Sequence, residues 1–302
     1  MTTSNDHNLR PILFGEVLFD SFPDGVAVLG GAPFNVAWHL QGFGANPYFI
    51  SAVGDDDHGH EVIDKMSAWG MDVHGVQMDP VHPTGTVQIT LDNGQPSYNI
   101  LPDQAYDYIT HNAMDSMVAK ESGALFYHGS LAIRQTGSHN SFYTLQNEFS
   151  IPSFVDINLR SPWWNKSSVQ DILSRARWAK LNDEELLNLY DDKGSLEACA
   201  QALLSRYQLE LLIVTKGAEG AMLLDHSGVI NGEPVPVIDM MDTVGAGDAF
   251  SSVMLLGMLK GWSHQASIQR ALAFASRVCA ERGALIHDKS IYQSYIDQWK
   301  ML

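Results

Sequence analysis

Short apolar runs recur along this chain, and stretches with helical spacing separate most of them. PILFGEV from Pro11, PYFISAVG from Pro47, ALFYHG from Ala124, SFVDIN from Ser153, WAKLN from Trp178 and LLIVTKG from Leu211 read as short buried strands. PFNVAWHLQGFG, from Pro33, reads as a helix between two of them. Pro33 suits its first turn, and Gly42 and Gly44 suit its end. Such alternation leaves few folds open. It predicts an α/β architecture in which helices cover both faces of a mostly parallel sheet.

One region breaks the pattern. TGTVQITLDNGQPSYNI, from Thr84, alternates with period two around Asp92-Asn93-Gly94, and Asn-Gly is a strong hairpin signal. A hairpin does not easily join a parallel core, so it reads as an appended antiparallel flap, joined by FDSFPDGVAVLG from Phe19. An ordinary surface hairpin is the alternative. No internal repeat, low-complexity tract or long linker is visible.

A chain of 302 residues, 45% hydrophobic, can bury a sizeable core without disulfides or structural metals. Its two cysteines, Cys199 and Cys279, form no CxxC pair, which points to a reducing cytosol. The polar start, MTTSNDHNLRP, lacks the apolar segment of a secretory signal. No apolar run approaches the ~18 residues of a spanning helix. A net charge of −17 repels nucleic acid and anionic lipid, so neither is expected as a partner. An anionic ligand would need local N–H groups, placed cations or a metal ion.

DTVGAGDAF, ending at Phe250, supplies such N–H groups. A helix starts inside it, because AFSSVMLLGMLKG follows, with Gly261 as the stop. The first helical turn carries unpaired N–H groups and a partial positive charge. Glycines let a phosphate approach them, so Gly245, Ala246 and Gly247 can form an anion cradle beside Asp248. A tight turn with an N-capping Asp has the same spacing. GGAPFN is a second glycine pair (Gly30, Gly31) before a helix, where Asn35 could hold a hydroxyl; a plain strand-to-helix turn also explains it. Asp20 falls just after the first strand, at the strand end where open α/β sheets hold ligands. DINLR ends another buried strand with polar groups and Arg160, and KLNDEEL does so with Asn182 and Glu185. Acidic groups near a phosphate suit a hydrated Mg2+, whereas Asn182 and Glu185 also fit a capping box. TKGAEG again places glycines after a strand. Neither GxxxxGK[ST] nor an early GxGxxG occurs, so Walker-type and dinucleotide readings fail. The twelve histidines show no metal-ligand spacing, and His58 and His60 read as solvated in an acidic turn.

In this order, GGAPFNVAWHL, VGDD from Val53, HPTGTV from His82, DINLR, KLNDEEL and DTVGAGDAF resemble the motifs of the ribokinase-like (PfkB) sugar kinases, most closely the bacterial fructokinase branch. The resemblance covers nearly the whole chain. It implies one doubly wound α/β kinase domain over residues 1–302, with lid segments near 19–30 and 84–107. By similarity, Asp248 is the catalytic base and the amides of Gly245, Ala246 and Gly247 the anion hole. Asp20, Gly30, Gly31 and Asn35 bind the sugar, and Arg160 faces the sugar or the moving phosphoryl group. Asn182 and Glu185 serve the Mg2+–phosphate region, Glu185 through water, while Thr215, Gly217 and Gly220 line the nucleotide and Ala275 borders the adenine. Asp242 and Val244 fall where many members bind a monovalent cation such as K+, Val244 through its carbonyl alone. Phe34 replaces the small residue common in GGAPxN, a change that could reshape the sugar pocket. The resemblance further implies ATP as donor, a fructose hydroxyl as acceptor, a cytoplasmic location and a homodimer formed through the lid. Kinases for ribose, a nucleoside or 2-keto-3-deoxygluconate share the motifs, and a sugar-sensing protein without turnover shares the fold.

Overall fold

The computed structural model describes residues 9–92, 95–190 and 194–301. Its thirteen strands among these residues are β1 (Arg10–Phe14), β2 (Leu18–Ser21), β3 (Ala27–Gly30), β4 (Tyr48–Gly54), β5 (Val76–Asp79), β6 (Gly85–Asp92), β7 (Gln95–Ile100), β8 (Gly123–His128), β9 (Ser153–Asp156), β10 (Trp178–Asn182), β11 (Leu211–Thr215), β12 (Ala221–Asp225) and β13 (Gly228–Gly232).

Side chains alternate across a strand, so a strand buried on both faces feeds two cores. Leu13 of β1 packs into one core with Tyr127 of β8 and Ile213 of β11. Ile12 and Phe14 pack into the other with Phe126 of β8 and Leu212 of β11. The result is a nine-stranded sheet in the order β13-β12-β11-β10-β9-β8-β1-β4-β5. From β11 to β5 every pairing is parallel; β12 and β13 add an antiparallel edge. Two helices dominate one core. Ala32–Gly42 is buried from Pro33 to Leu40, and Ala246–Lys260 is buried from Ala249 to Gly257. Gly261, left-handed at φ 66°, ends the second helix as expected.

The smaller sheet has the order β3-β2-β6-β7. Two antiparallel pairs, β2–β3 and β6–β7, join through a parallel β2–β6 pairing, which the alternation along each hairpin does not reveal. The Asn93-Gly94 turn and the polar residues 1–8 lie outside the described residues.

Three features differ from the sequence reading. The first strand stops at Phe14, not Val17, and Asp20 sits in β2 of the small sheet, paired with Val28 and Val87. PILFGEVLFD is one continuous apolar run, but the chain leaves the main sheet at Gly15–Val17. Strands β5, β12 and β13 are additional to those expected; β5 and β13 are only part buried and lack an apolar run. His58 and His60 belong to the helix Asp57–Trp69; His58 stacks on Phe19 at 4.2 Å.

VGDD and HPTGTV meet at one clamp. Asp56 caps the helix Asp57–Trp69 through the Gly59 N–H at 2.8 Å. The same carboxylate accepts from the Thr84 N–H at 2.8 Å and the Thr84 hydroxyl at 2.6 Å. That hydroxyl in turn accepts from the Gly54 N–H at 2.9 Å. Two sheets are thus tied where β6 begins. Asp56→Ala should cost about 1–3 kcal/mol, since it strands three donors at once. Urea unfolding followed by circular dichroism checks this; a midpoint within error of wild type contradicts the clamp.

Candidate active site

The two buried helices begin side by side because glycines stand at both N-caps. Gly245 has φ 79°, and a Cβ there would lie 2.4 Å from the Ala284 Cβ. Gly31 has φ 111°, and its Cβ would lie 2.7 Å from the Glu16 carbonyl oxygen. Neither position admits a side chain. Between the helix starts and the small sheet lies a cavity of about 600 Å3.

Among the described residues, the amides of Gly245, Gly247 and Asp248 have no hydrogen-bond partner, as an anion cradle requires. The Ala246 amide differs from expectation: it turns back to the Thr243 carbonyl at 3.3 Å. The Met241 and Asp242 amides bond to the Cys279 carbonyl, which anchors the approach to the cradle. Beside Gly247 sits the Lys180 ammonium, 3.6 Å from where a Cβ would stand. It bonds to both oxygens of Asp156, at 2.9 and 2.7 Å, and both side chains are buried. Ser251 also donates to Asp156 at 2.7 Å.

Asp248 projects from the first turn of the second helix. Asn35, in the first, donates to it at 2.8 Å. Asn35 Oδ1 is buried without a partner. Burial pushes the Asp248 carboxyl up to about 6; the Asn35 hydrogen bond opposes this, Asp156 adds to it, and Lys180 and Arg160 oppose it. Burial likewise lifts Asp20 to about 6, against the pull of Arg160. Glu16 is pushed up to about 7, mainly by burial.

At the far end, Asn182 and Glu185 form the capping box that their spacing allowed. Asn182 Oδ1 accepts from the Glu185 N–H, and Glu185 Oε2 accepts from the Asn182 N–H. Glu185 Oε1 accepts from the Leu159 N–H at 2.7 Å. Each Glu185 oxygen keeps one free lone pair, enough to hold a metal-bound water. Among the described residues no three His, Cys, Asp or Glu side chains converge on a metal position. Through its two free lone pairs, Glu185 fits a hydrated Mg2+ held by way of water.

Of the residues expected at the site, Asp20, Gly31, Asn35, Arg160, Asn182, Glu185, Thr215, Val244, Gly245, Gly247 and Asp248 line this one cavity. Gly30 stands behind it, its missing Cβ 3.8 Å from both Asn35 Oδ1 and Asp20 Oδ2. Gly217, Gly220, Asp242, Ala246 and Ala275 do not line it. Gly217 and Gly220 bracket the short turn after β11, and Ala275 packs on the core from the helix His264–Val278. Asp242 holds the Val244 N–H at 3.0 Å. Glu16, Asp156 and Lys180 line the cavity too, and the sequence reading gave them no role. The available signal was a charged residue inside an apolar strand run.

An anion cradle at a helix start with a carboxylate beside it is the machinery of a phosphotransferase acting on an alcohol. The model of the pfkB family carbohydrate kinases matches residues 16–289, and the chain belongs to that family. Fructokinase-2 of Oryza sativa subsp. japonica is 27% identical over 290 residues, which span 88% of this chain and 85% of the rice protein. Fructokinase of Xylella fastidiosa, solved with bound ATP, superposes with a TM-score of 0.83 at 21% identity, covering 96% of this chain and 99% of that one. Fructokinase of Vibrio cholerae O395, solved with fructose, ADP and calcium, gives 0.79 at 24% identity over 96% and 99%. No helix among the described residues is long and apolar enough to cross a membrane.

The raised Asp248 carboxyl has a consequence for stability. Its folded value of about 6 exceeds the ordinary 3.8. Folding therefore favours the protonated form, and the stability this gives fades as pH rises through about 6. Asp248→Asn should then raise the melting temperature at pH 8, by up to about 3 kcal/mol of stability, with little change at pH 3.5. Calorimetric scans at both pH values check this; destabilisation at pH 8 contradicts it.

Proposed function

We propose that the protein transfers the γ-phosphoryl group of ATP to a primary hydroxyl of fructose. The observation that carries this reading is the Asp248 carboxylate beside the free amides of Gly245 and Gly247 in one cavity. The fructokinase relatives support the choice of sugar. So do the charges: among the described residues, Glu16, Asp20 and Asp248 face the same space as a single cation, Arg160, while Lys180 is neutralised by Asp156. That excess of carboxylates over cations disfavours a sugar acid such as 2-keto-3-deoxygluconate and suits a neutral polyol. Retention of Asp248, both free glycine amides and Glu185 argues against a sensor without turnover.

Asp248 orients the acceptor hydroxyl by taking its hydrogen bond. It need not ionise an alcohol in the ground state. In a loose phosphoryl-transfer transition state the hydroxyl becomes acidic as the new P–O bond forms, and Asp248 then accepts the proton. The amides of Gly245 and Gly247 offset charge on the transferring group, with the Lys180 ammonium alongside. Asp20 and Asn35 hold other hydroxyls. The small sheet acts as a lid that excludes water and limits wasteful hydrolysis of ATP. Mg2+, held near Asn182 and Glu185, would neutralise phosphate charge.

Asp248→Ala should lower kcat by about 10^3-fold or more while the KM for sugar moves little. Near-normal turnover would remove Asp248 from the chemistry. A panel of fructose, ribose, nucleosides and 2-keto-3-deoxygluconate with ATP, read by ADP release, should give fructose the highest kcat/KM. A wide margin for another acceptor overturns the fructose reading.

A further inference from the structure

Glu16 sits in the three-residue crossing between β1 of the main sheet and β2 of the small sheet. It is 3% exposed, lines the cavity shared by Asp20, Asn35 and Asp248, and its Oε2 has no hydrogen-bond partner. An unpaired carboxylate oxygen is a costly thing to bury, and folded proteins retain few of them. The backbone of this crossing is tightly packed. Gly31 lies so close that a Cβ would sit 2.7 Å from the Glu16 carbonyl oxygen and 3.1 Å from the Val17 Cα.

The charged and titratable groups acting on this carboxylate are Arg160, Arg134 and Asp248, and Tyr106 and Tyr127 feel its charge in turn. None of them donates a hydrogen bond to Oε2. Arg134 commits its Nε and Nη2 to both oxygens of Asp107 and to the Leu101 carbonyl, and its Nη1, like the Tyr106 hydroxyl, is buried without a partner. A second unpaired acceptor, Asn35 Oδ1, belongs to the side chain that holds Asp248. Both residues line the same cavity, and a site rich in acceptors suits a ligand that carries several donors. A neutral sugar, with hydroxyls on neighbouring carbons, is such a ligand, and each hydroxyl can also accept.

We propose that Glu16 is a sugar-binding residue whose carboxylate pairs with one hydroxyl of the acceptor sugar, distinct from the hydroxyl presented to Asp248, and so helps to select which sugars are phosphorylated. This rests on the reading of the cavity as a sugar site. Because Glu16 lies where the chain passes from one sheet to the other, a sugar bound to it contacts the joint between the two. A substrate lacking that hydroxyl leaves the carboxylate unpaired, and a substrate with an acid group there meets a like charge.

The test uses the full chain with ATP, comparing wild type with Glu16→Gln and Glu16→Asp. Each is assayed on the preferred sugar and on its mono-deoxy analogues. The Gln variant should raise the sugar KM about tenfold or more and leave the ATP KM within about twofold, because the lost bond is to the sugar. One deoxy analogue, poor for wild type, should lose its relative handicap in the variant by about fivefold or more, while the others keep theirs. Glu16→Asp draws the carboxylate back by one methylene and should give the same selective pattern should the Gln variant fail to fold. An unchanged sugar KM in a folded variant overturns the proposal. So do deoxy handicaps that are alike in all three enzymes, or an ATP KM that rises with the sugar KM. If wild type prefers another neutral sugar, the fructose reading falls and the deoxy series on that sugar still decides Glu16. Wild type that phosphorylates no sugar overturns both.

Discussion

One hydrogen bond, from Asn35 to Asp248, spans 213 positions of sequence and joins the first turns of the two most buried helices. The carboxylate it reaches is under opposing pressures. A helix N-terminus favours an anion, whereas removal from water disfavours it. Burial wins by a moderate margin, leaving the group near 6, so it is mostly ionised at neutral pH yet only weakly solvated. A carboxylate in that state accepts a hydrogen bond strongly. To hold it there the helices must start side by side, which sets where the sheet strands behind them end. Gly31 and Gly245, each pressed against backbone or Cβ atoms, make that approach sterically feasible.

The same arrangement offers an anion a place on so acidic a chain. Its net charge of −17 works against an anion at long range. At short range the cradle presents unpaired amides, whose dipoles need no net charge. Lys180 adds a cation held in place by Asp156, which is itself held by Ser251 and, at 3.3 Å, by Tyr127. The pair is close to neutral overall, so the local field comes from orientation more than from excess charge.

Much of this was readable from the sequence where geometry restricts residue choice. The central parallel strands declare themselves because burial on both faces demands unbroken apolar runs, as in LLIVT of β11. Glycines at helix starts are legible because no other residue fits there. Strands β5 and β13 stay hidden because edge strands, half in water, carry mixed sequences. Asp20 falls after the wrong strand in a sequence reading because the apolar run through Gly15 gives no sign of where the chain changes sheet. Glu16, Asp156 and Lys180 are distant in sequence, and only tertiary packing puts them around one cavity. Each is nonetheless a charged residue in or beside an apolar strand, which is costly unless it is paired or functional.

Glu185 shows why capping and ligand binding need not be rival explanations. From the first turn of the helix Asp183–Leu189, its two oxygens hold two other pieces of chain: the end of β10, and Leu159, next to Arg160. Arg160 is the cation that pulls on Asp20, Glu16 and Asp248 together. The backbone bonds fix the carboxylate with one lone pair per oxygen still free, so any ion drawn there meets a preorganised group instead of a mobile one. Those same bonds fix the backbone beside Arg160, so the segment that carries this cation is tied directly to the end of β10.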